Sequence, residues 1–422
     1  MKRMMMQIFR SVVTIVIVGT MAAMIFSLRS ELAEAKAKAK CGEAKYGEAK
    51  SVIADRPHVF SMSCKVPSCN TELNTKEGRA RAIDWCRKNH ITKLWLESYR
   101  HAERVETKLL EEERDAFRAA GFEVCGMITP TKLNDPPTDG EAPFVVCWSD
   151  PKARKRLTEE SARVAKVFDT VIIDDFLFST CDDKCARCKA GKEARGFVDW
   201  GMFRRQLMNE VAQSVIAWGK HANPNVHFII KYPCWYQNWA ANGYDPVAET
   251  KMFGACWVGT ETRDANPDPV QGCCLMEAMD RLSGGTCGGG WYDALDCSPE
   301  KFVEQARYTI LGGARESLVH CYDYLLAKDP GSTPFGEKAD RSHACAEALS
   351  REIDGLVKLA EFLRGAERVR WGWCGQAYGV SYHFYRKNGR LYVAYQNVTD
   401  ERKTADGHDL EPHGFLLTEA SK

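Results

Sequence analysis

Between His58 and Arg364 the chain repeats one pattern eight times: a short run rich in Val, Ile, Phe and Trp, then a longer amphipathic stretch. The runs are His58–Cys64, Lys93–Ser98, Glu123–Thr129, Thr170–Phe176, Val226–Tyr232, Gly254–Thr260, Gly285–Trp291 and Ser317–Tyr322. Helical spacing marks Glu77–Asn89, Glu103–Ala120, Pro151–Val167, Val198–Lys220, Asp245–Lys251, Pro269–Leu282, Pro299–Leu311 and Arg341–Arg364. Ser298 supplies an N-cap and Pro299 a first helical residue. Strands joined through helices run parallel, so eight strand–helix units predict an α/β fold, the (β/α)8 or TIM barrel. The alternative, an open doubly wound sheet, usually carries a glycine-rich phosphate turn after its first strand. Here that place reads Ser63-Cys64-Lys65-Val66-Pro67-Ser68-Cys69, without glycine.

The pattern changes at both ends. After about residue 366, Ala377–Arg386, Leu391–Asn397 and Gly414–Leu417 alternate like strands, and Asn388-Gly389 is a hairpin turn signal. A small C-terminal antiparallel β-domain is expected over 367–422, after a barrel over 55–366. At the N-terminus, Lys2, Arg3 and Arg10 precede an uncharged run from Ser11 to Leu28, and small residues follow. That is the layout of a secretory signal, and the run is also long enough for an uncleaved anchor. Residues 1–40 are therefore expected to be a signal peptide or membrane anchor, and 41–54 a linker. Either reading exports the rest of the chain, to the periplasm or beyond, and limits membrane contact to this segment. The 58 Lys+Arg and 57 Asp+Glu give a net charge of +1, which speaks against nucleic-acid binding through bulk positive charge.

Barrel chemistry sits at the C-terminal ends of the strands, and acids and aromatics recur there. Strand two ends on Glu97, and strand four on Asp174-Asp175. Strand five ends on Lys231-Tyr232 with Trp235 beyond, and strand six on Trp257, Glu261 and Arg263. Strand seven ends on Trp291 and Asp293, and strand eight on Tyr322-Asp323. Paired carboxylates can protonate a leaving oxygen and attack carbon or activate water. Aromatic faces stack on sugar rings. The expected catalytic acids are Asp174, Asp175, Glu261 and Asp293: Asp175 and Glu261 are the preferred pair, with Asp174 or Asp175 as nucleophile, Glu261 as acid/base and Asp293 a rival nucleophile. Glu97, Lys231, Tyr232, Trp235, Trp257, Arg263, Trp291, Tyr322 and Asp323 are the expected substrate contacts. No organic cofactor is expected.

The order of strands and strand-end acids resembles the (β/α)8 glycoside hydrolases. The stretch from Ile172-Ile173-Asp174-Asp175-Phe176 through Cys181, Cys185 and Cys188 to Trp200-Gly201-Met202-Phe203-Arg204 is similar to part of the clan A β-galactosidases that carry a cysteine zinc cluster. Ile-Asp-Asp-Phe and Gly-Thr-Glu-Thr-Arg also resemble signatures of uncharacterised secreted bacterial hydrolase-like barrels. The resemblance implies a glycosidase acting on a carbohydrate substrate. Phe176 departs from the β-galactosidases, standing where their general-acid Glu would align. That moves the acid to Asp174, Asp175 or another strand. A catalytically inactive carbohydrate-binding barrel is the second expectation.

The chain has 18 cysteines. Cys181, Cys185 and Cys188 are spaced for thiolate ligation of a structural zinc, with Cys147 the fourth candidate. The rival is a disulfide plus a free thiol. The same Cys-x3-Cys-x2-Cys spacing serves radical S-adenosylmethionine enzymes, but there it follows the first strand. Cys64 with Cys69, or Cys287 with Cys297, are possible disulfides of the rim.

Overall fold

The computed structural model describes residues 51–134, 146–262, 270–327 and 339–420. The expected signal or anchor segment, residues 41–50 of the linker, and Arg263 lie outside them. Among the described residues no helix is long and apolar enough to cross a membrane.

All eight expected strands form: β1 Val59–Cys64, β2 Ile91–Arg100, β3 Glu123–Ile128, β4 Thr170–Ile173, β5 His227–Tyr232, β6 Cys256–Gly259, β7 Cys287–Asp293 and β8 Glu316–His320. Each pairs parallel with the next, and β8 returns to β1, so the barrel closes. The helices that alternate with them, apart from shorter ones in the loops, are α1 Lys76–Lys88, α2 Thr107–Ala119, α3 Pro151–Ala165, α4 Trp200–Ala222, α5 Pro246–Phe253, α6 Val270–Leu282, α7 Pro299–Leu311 and α8 Ala339–Leu363. Thr75, Asp150, Asp199, Asp245 and Ser298 cap their helices through the side chain, which satisfies amides the first turn leaves open. The second helix starts later than its spacing predicts. Glu103 and Arg104 first fold back to pair antiparallel with Arg100 and Tyr99.

The barrel interior is stratified. Trp95, Cys125, Met127, Ile172, Ile229, Trp257, Trp291 and Leu318 form one buried apolar cluster separate from the outer core. Below it, Lys93 Nζ lies 3.1 Å from Glu316, which also accepts the Trp95 indole N–H at 2.9 Å. Above it the inward side chains turn polar. Gly289 makes the floor possible, because a Cβ there would meet the Trp257 ring at 2.9 Å.

The C-terminal antiparallel strands are β9 Glu367–Trp373, β10 Val380–Lys387, β11 Arg390–Asn397 and β12 Phe415–Glu419, paired in that order. The β10–β11 hairpin turns at Asn388 (φ 52°) and Gly389 (φ 77°), both left-handed as a two-residue turn of this type demands. Strand β9 carried no clear sequence signal, because Arg-Val-Arg-Trp-Gly-Trp leaves most of its side chains to solvent. The sheet docks on α7. Tyr308 Oη lies 2.6 Å from Ser381, the Tyr385 hydroxyl donates to Leu311 O at 2.8 Å, and Arg307 reaches Gln396 at 3.1 Å.

Candidate active site and thiol cluster

Strand β4 ends at Ile173 because the chain turns there. The Asp174 N–H still donates to Ile128 O, and the Phe176 N–H folds back onto Asp174 O. Asp174 and Asp175 are thus delivered together to the C-terminal mouth. From β5, Lys231 points inward, and its ammonium lies 2.8 Å from Asp175, 3.5 Å from Asp174 and 3.6 Å from Glu261. It also sits over the Trp291 ring, 4.4 Å from the centroid. Glu261 folds back over β6. A Cβ on Gly259 would fall 2.3 Å from its Oε2, so glycine makes room for this carboxylate. Glu261 Oε2 is buried with no hydrogen-bond partner among the described residues.

A second cation serves the other side. Arg100 reaches Glu97 at 2.7 Å and Asp174 at 3.1 Å, and Thr129 Oγ lies 3.1 Å from Asp174 while hydrogen-bonding Glu97. Burial works against ionised Asp174, but Lys231 and Arg100, with hydrogen bonds from the Asp175 N–H and Thr129, outweigh it and hold the carboxyl below its ordinary range. Asp175 behaves oppositely. Burial, then the charges of Asp174 and Glu261, push it up to about 7 despite Lys231. Two adjacent acids therefore differ in proton affinity because one has two cations and the other shares one.

The structure brings Asp174, Asp175, Lys231, Glu261 and Trp291 together. Asp293, at the end of β7, is buried and accepts the Leu295 N–H at 3.0 Å. Glu97 is fully buried beneath the mouth and accepts the Val66 N–H at 3.0 Å. Other expected contacts face elsewhere. Successive strand residues point to opposite faces, so with Lys231 inward, Tyr232 turns out to the helix layer, where its hydroxyl donates to Glu249 at 2.9 Å. Trp257 packs in the apolar floor, edge-on to Trp95 at 5.3 Å. Asp323 caps the loop after β1, accepting the Lys65 and Ser68 N–H groups at 2.8 and 3.1 Å. The Tyr322 hydroxyl donates to Glu72 at 3.0 Å. Trp235 is half-buried and stands edge-on to Phe178, with Tyr244 beside both. The Tyr244 hydroxyl bonds the Asp175 carbonyl, so this aromatic wall holds the acid-bearing turn. Phe176 joins that packing rather than presenting a polar group.

Sequence reasoning passed over Arg100, Thr129, Tyr244, Lys65 and His320. Arg100 had a usable signal, its position three residues after Glu97. His320 lies at the end of β8, with Nδ1 2.7 Å from Ser63 Oγ and its ring 4.7 Å from that of Trp291.

The four expected thiols converge. Donor sulfurs of Cys147, Cys181, Cys185 and Cys188 lie within 4.8 Å of one another, and Cys147 is 3.6 Å from both Cys185 and Cys188. A tetrahedral zinc with Zn–S of about 2.3 Å places its sulfurs about 3.8 Å apart, so this donor set fits. No disulfide joins the described cysteines, so the possible Cys64–Cys69 and Cys287–Cys297 bridges are not formed. Cys287 instead lies in register with Cys256 on the neighbouring strand. The loop also leads to the mouth: the Trp148 indole donates to Phe178 O at 2.7 Å, and Arg204 holds Cys181 O at 2.6 Å.

The sequence model of a family described as "probable glycosyl hydrolase, catalytic domain" matches residues 49–347. No curated protein matches the chain. Among solved structures, a β-galactosidase from Bacillus circulans sp. alkalophilus is similar with a TM-score of 0.56 and 8% identity, over 86% of this chain and 99% of that one. The PgaB (BpsB) glycoside hydrolase domain from Bordetella bronchiseptica gives 0.51 and 12%, over 70% and 98%. At such identities the likeness shows a shared fold.

Proposed function

The chain belongs to this family of probable glycosyl hydrolase catalytic domains, and on that premise we propose that it hydrolyses glycosidic bonds with Asp175 and Glu261 as its carboxylate pair. The carrying observation is Lys231, which draws both side chains together at the mouth of the closed barrel. Asp175, pushed up to about 7, holds a proton near neutral pH and gives it to the leaving oxygen. Glu261, with one oxygen unpartnered, attacks the anomeric carbon or activates the water that does. Asp174 stays ionised and fixes Lys231 and Arg100. Trp235, half-buried, offers a face to the sugar, while Trp291 is buried beneath Lys231.

Cys147, Cys181, Cys185 and Cys188 would hold a structural zinc, which with four protein ligands leaves no open position and serves to pin the loop that carries Phe178. The basic and apolar N-terminus supports export, testable by cell fractionation.

The test is turnover of purified protein on nitrophenyl glycosides and on plant, algal and mucin polysaccharides. Hydrolysis by the wild type, lost in Asp175→Asn and Glu261→Gln, supports the reading. Saccharide binding without any turnover replaces it with a carbohydrate-binding barrel.

A further inference from the structure

The cations of the mouth are unequally matched. Lys231 has three carboxylates and Arg100 has two. Lys65, the first residue after β1, has none within ion-pair distance among the described residues. The residue is buried, only 8% exposed. The ammonium donates to the Tyr324 hydroxyl at 3.2 Å and lies over the Tyr324 ring, 4.4 Å from its centroid. Asp323, whose carboxylate faces the same loop, has each oxygen taken by a backbone amide, of Lys65 and of Ser68.

A buried ammonium with a phenol and a ring face keeps donor capacity that a packed fold normally satisfies. Its place says what could satisfy it. Lys65 and Tyr324 follow β1 and β8, on the far side of the mouth from Asp175 and Glu261. His320 connects the two sides: its ring lies 5.7 Å from that of Tyr324 and 4.7 Å from that of Trp291, over which Lys231 sits. Lys65 and Arg100 sense each other's charge, and Arg100 touches Asp174. Trp291 itself is buried under Lys231 and His320, so a sugar would lie above them, between the β4 and β6 acids on one side and Lys65 on the other.

We propose that Lys65, seated on Tyr324, receives an anionic substituent of the sugar, a carboxylate or a sulfate ester, which makes the substrate an acidic glycan. The substituent accepts the remaining ammonium hydrogens in a site walled by aromatic rings, where a charge-assisted hydrogen bond is strong. This rests on the catalytic reading for the position of the sugar, and it deepens that reading by naming the substrate class.

The experiment measures binding, so it does not depend on turnover. Glucuronic acid, galacturonic acid and galactose 6-sulfate are titrated against wild-type protein by NMR, beside glucose and galactose. At least one acidic sugar is expected to bind at least about tenfold more tightly than its neutral counterpart, with a preference that shrinks as salt rises. Preference for a uronic acid identifies the carboxylate source, and preference for the 6-sulfate the ester. Lys65→Gln is expected to bring the acidic-to-neutral ratio near one while leaving neutral binding unchanged, and Lys65→Arg to keep the preference. Equal or absent binding of acidic sugars by wild type overturns the proposal. So does a Lys65→Gln variant that weakens acidic and neutral sugars alike, since that marks a structural lysine. If Asp175→Asn keeps wild-type turnover, the carboxylate pairing fails while the binding ratio still judges Lys65.

Discussion

The acid-rich mouth and the thiol cluster lie at two ends of one loop, and they handle like charges in opposite ways. In the mouth the chain supplies its own countercharge: Lys231 and Arg100 reach Asp174, Asp175, Glu261 and Glu97. In the cluster four sulfurs crowd within 4.8 Å, and Arg204, whose charge reaches Cys181 and Cys188, spends its hydrogen bonds on backbone carbonyls. A site balanced from within is preformed and can be tuned residue by residue. A site that gathers only thiols would depend on a bound ion once they ionise, because uncompensated buried charge is costly.

Four experiments press on that contrast. Asp175→Asn or Glu261→Gln should cut turnover at least about 100-fold, with unchanged zinc content. Near wild-type turnover in either variant removes it from the reacting pair. In the wild type, kcat should decline as pH rises through about 7, where Asp175 loses its proton. A flat profile from pH 5 to 9 removes Asp175 as proton carrier.

Lys231→Met tests self-compensation. Removing one partner of a buried pair costs about 3–5 kcal/mol, read as a lower denaturant midpoint. Lys231 lowers the Asp175 pKa, so its loss should also move the alkaline limb of kcat to higher pH. Unchanged stability and profile would mean that the ammonium does not compensate these acids.

Zinc removal tests the opposite case. One zinc per chain is expected by metal analysis of protein purified without chelator. Chelation should cost about 2.7 kcal/mol relative to zinc held at about a hundredfold its Kd, and Cys188→Ser should abolish the response. A chelator-insensitive melting curve with no bound metal contradicts the zinc site.

The smallest effect belongs to the docked sheet. His413 lies 2.8 Å from Glu304 on α7 and 2.9 Å from Asp400, and these partners raise it to about 9. Its folded pKa exceeds the ordinary 6.5. The stabilisation is thus complete below about pH 6.5 and fades as pH rises through about 9. His413→Gln should flatten that part of the stability profile, and a profile matching wild type would remove His413 as its source.

The contrast also explains what could be read beforehand. Strand-end acids such as Asp174, Asp175 and Glu261 stand out because β4 and β6 are otherwise apolar. Cys181, Cys185 and Cys188 stand out by spacing within one loop. Tyr232 and Trp257 were equally visible as strand-end aromatics, yet one faces the helices and the other fills the floor. Alternation says that Lys231 and Tyr232 face opposite ways, but not which one faces inward. Depth is set by the stagger of neighbouring strands, and no single strand encodes it.

By itself the sequence determined the eight-fold alternation and the barrel, the Ser298 cap, the Asn388-Gly389 turn and the residue types gathered at the mouth. These rest on short-range physics: periodicity, capping and turn chemistry act within a few residues. Barrel closure decided the rest. It set Lys231 between acids from β4 and β6, joined Arg100 of β2 to Asp174, and left Lys65 across the mouth without a carboxylate. Those pairings depend on distances across a closed ring, which exist only once β8 has returned to β1.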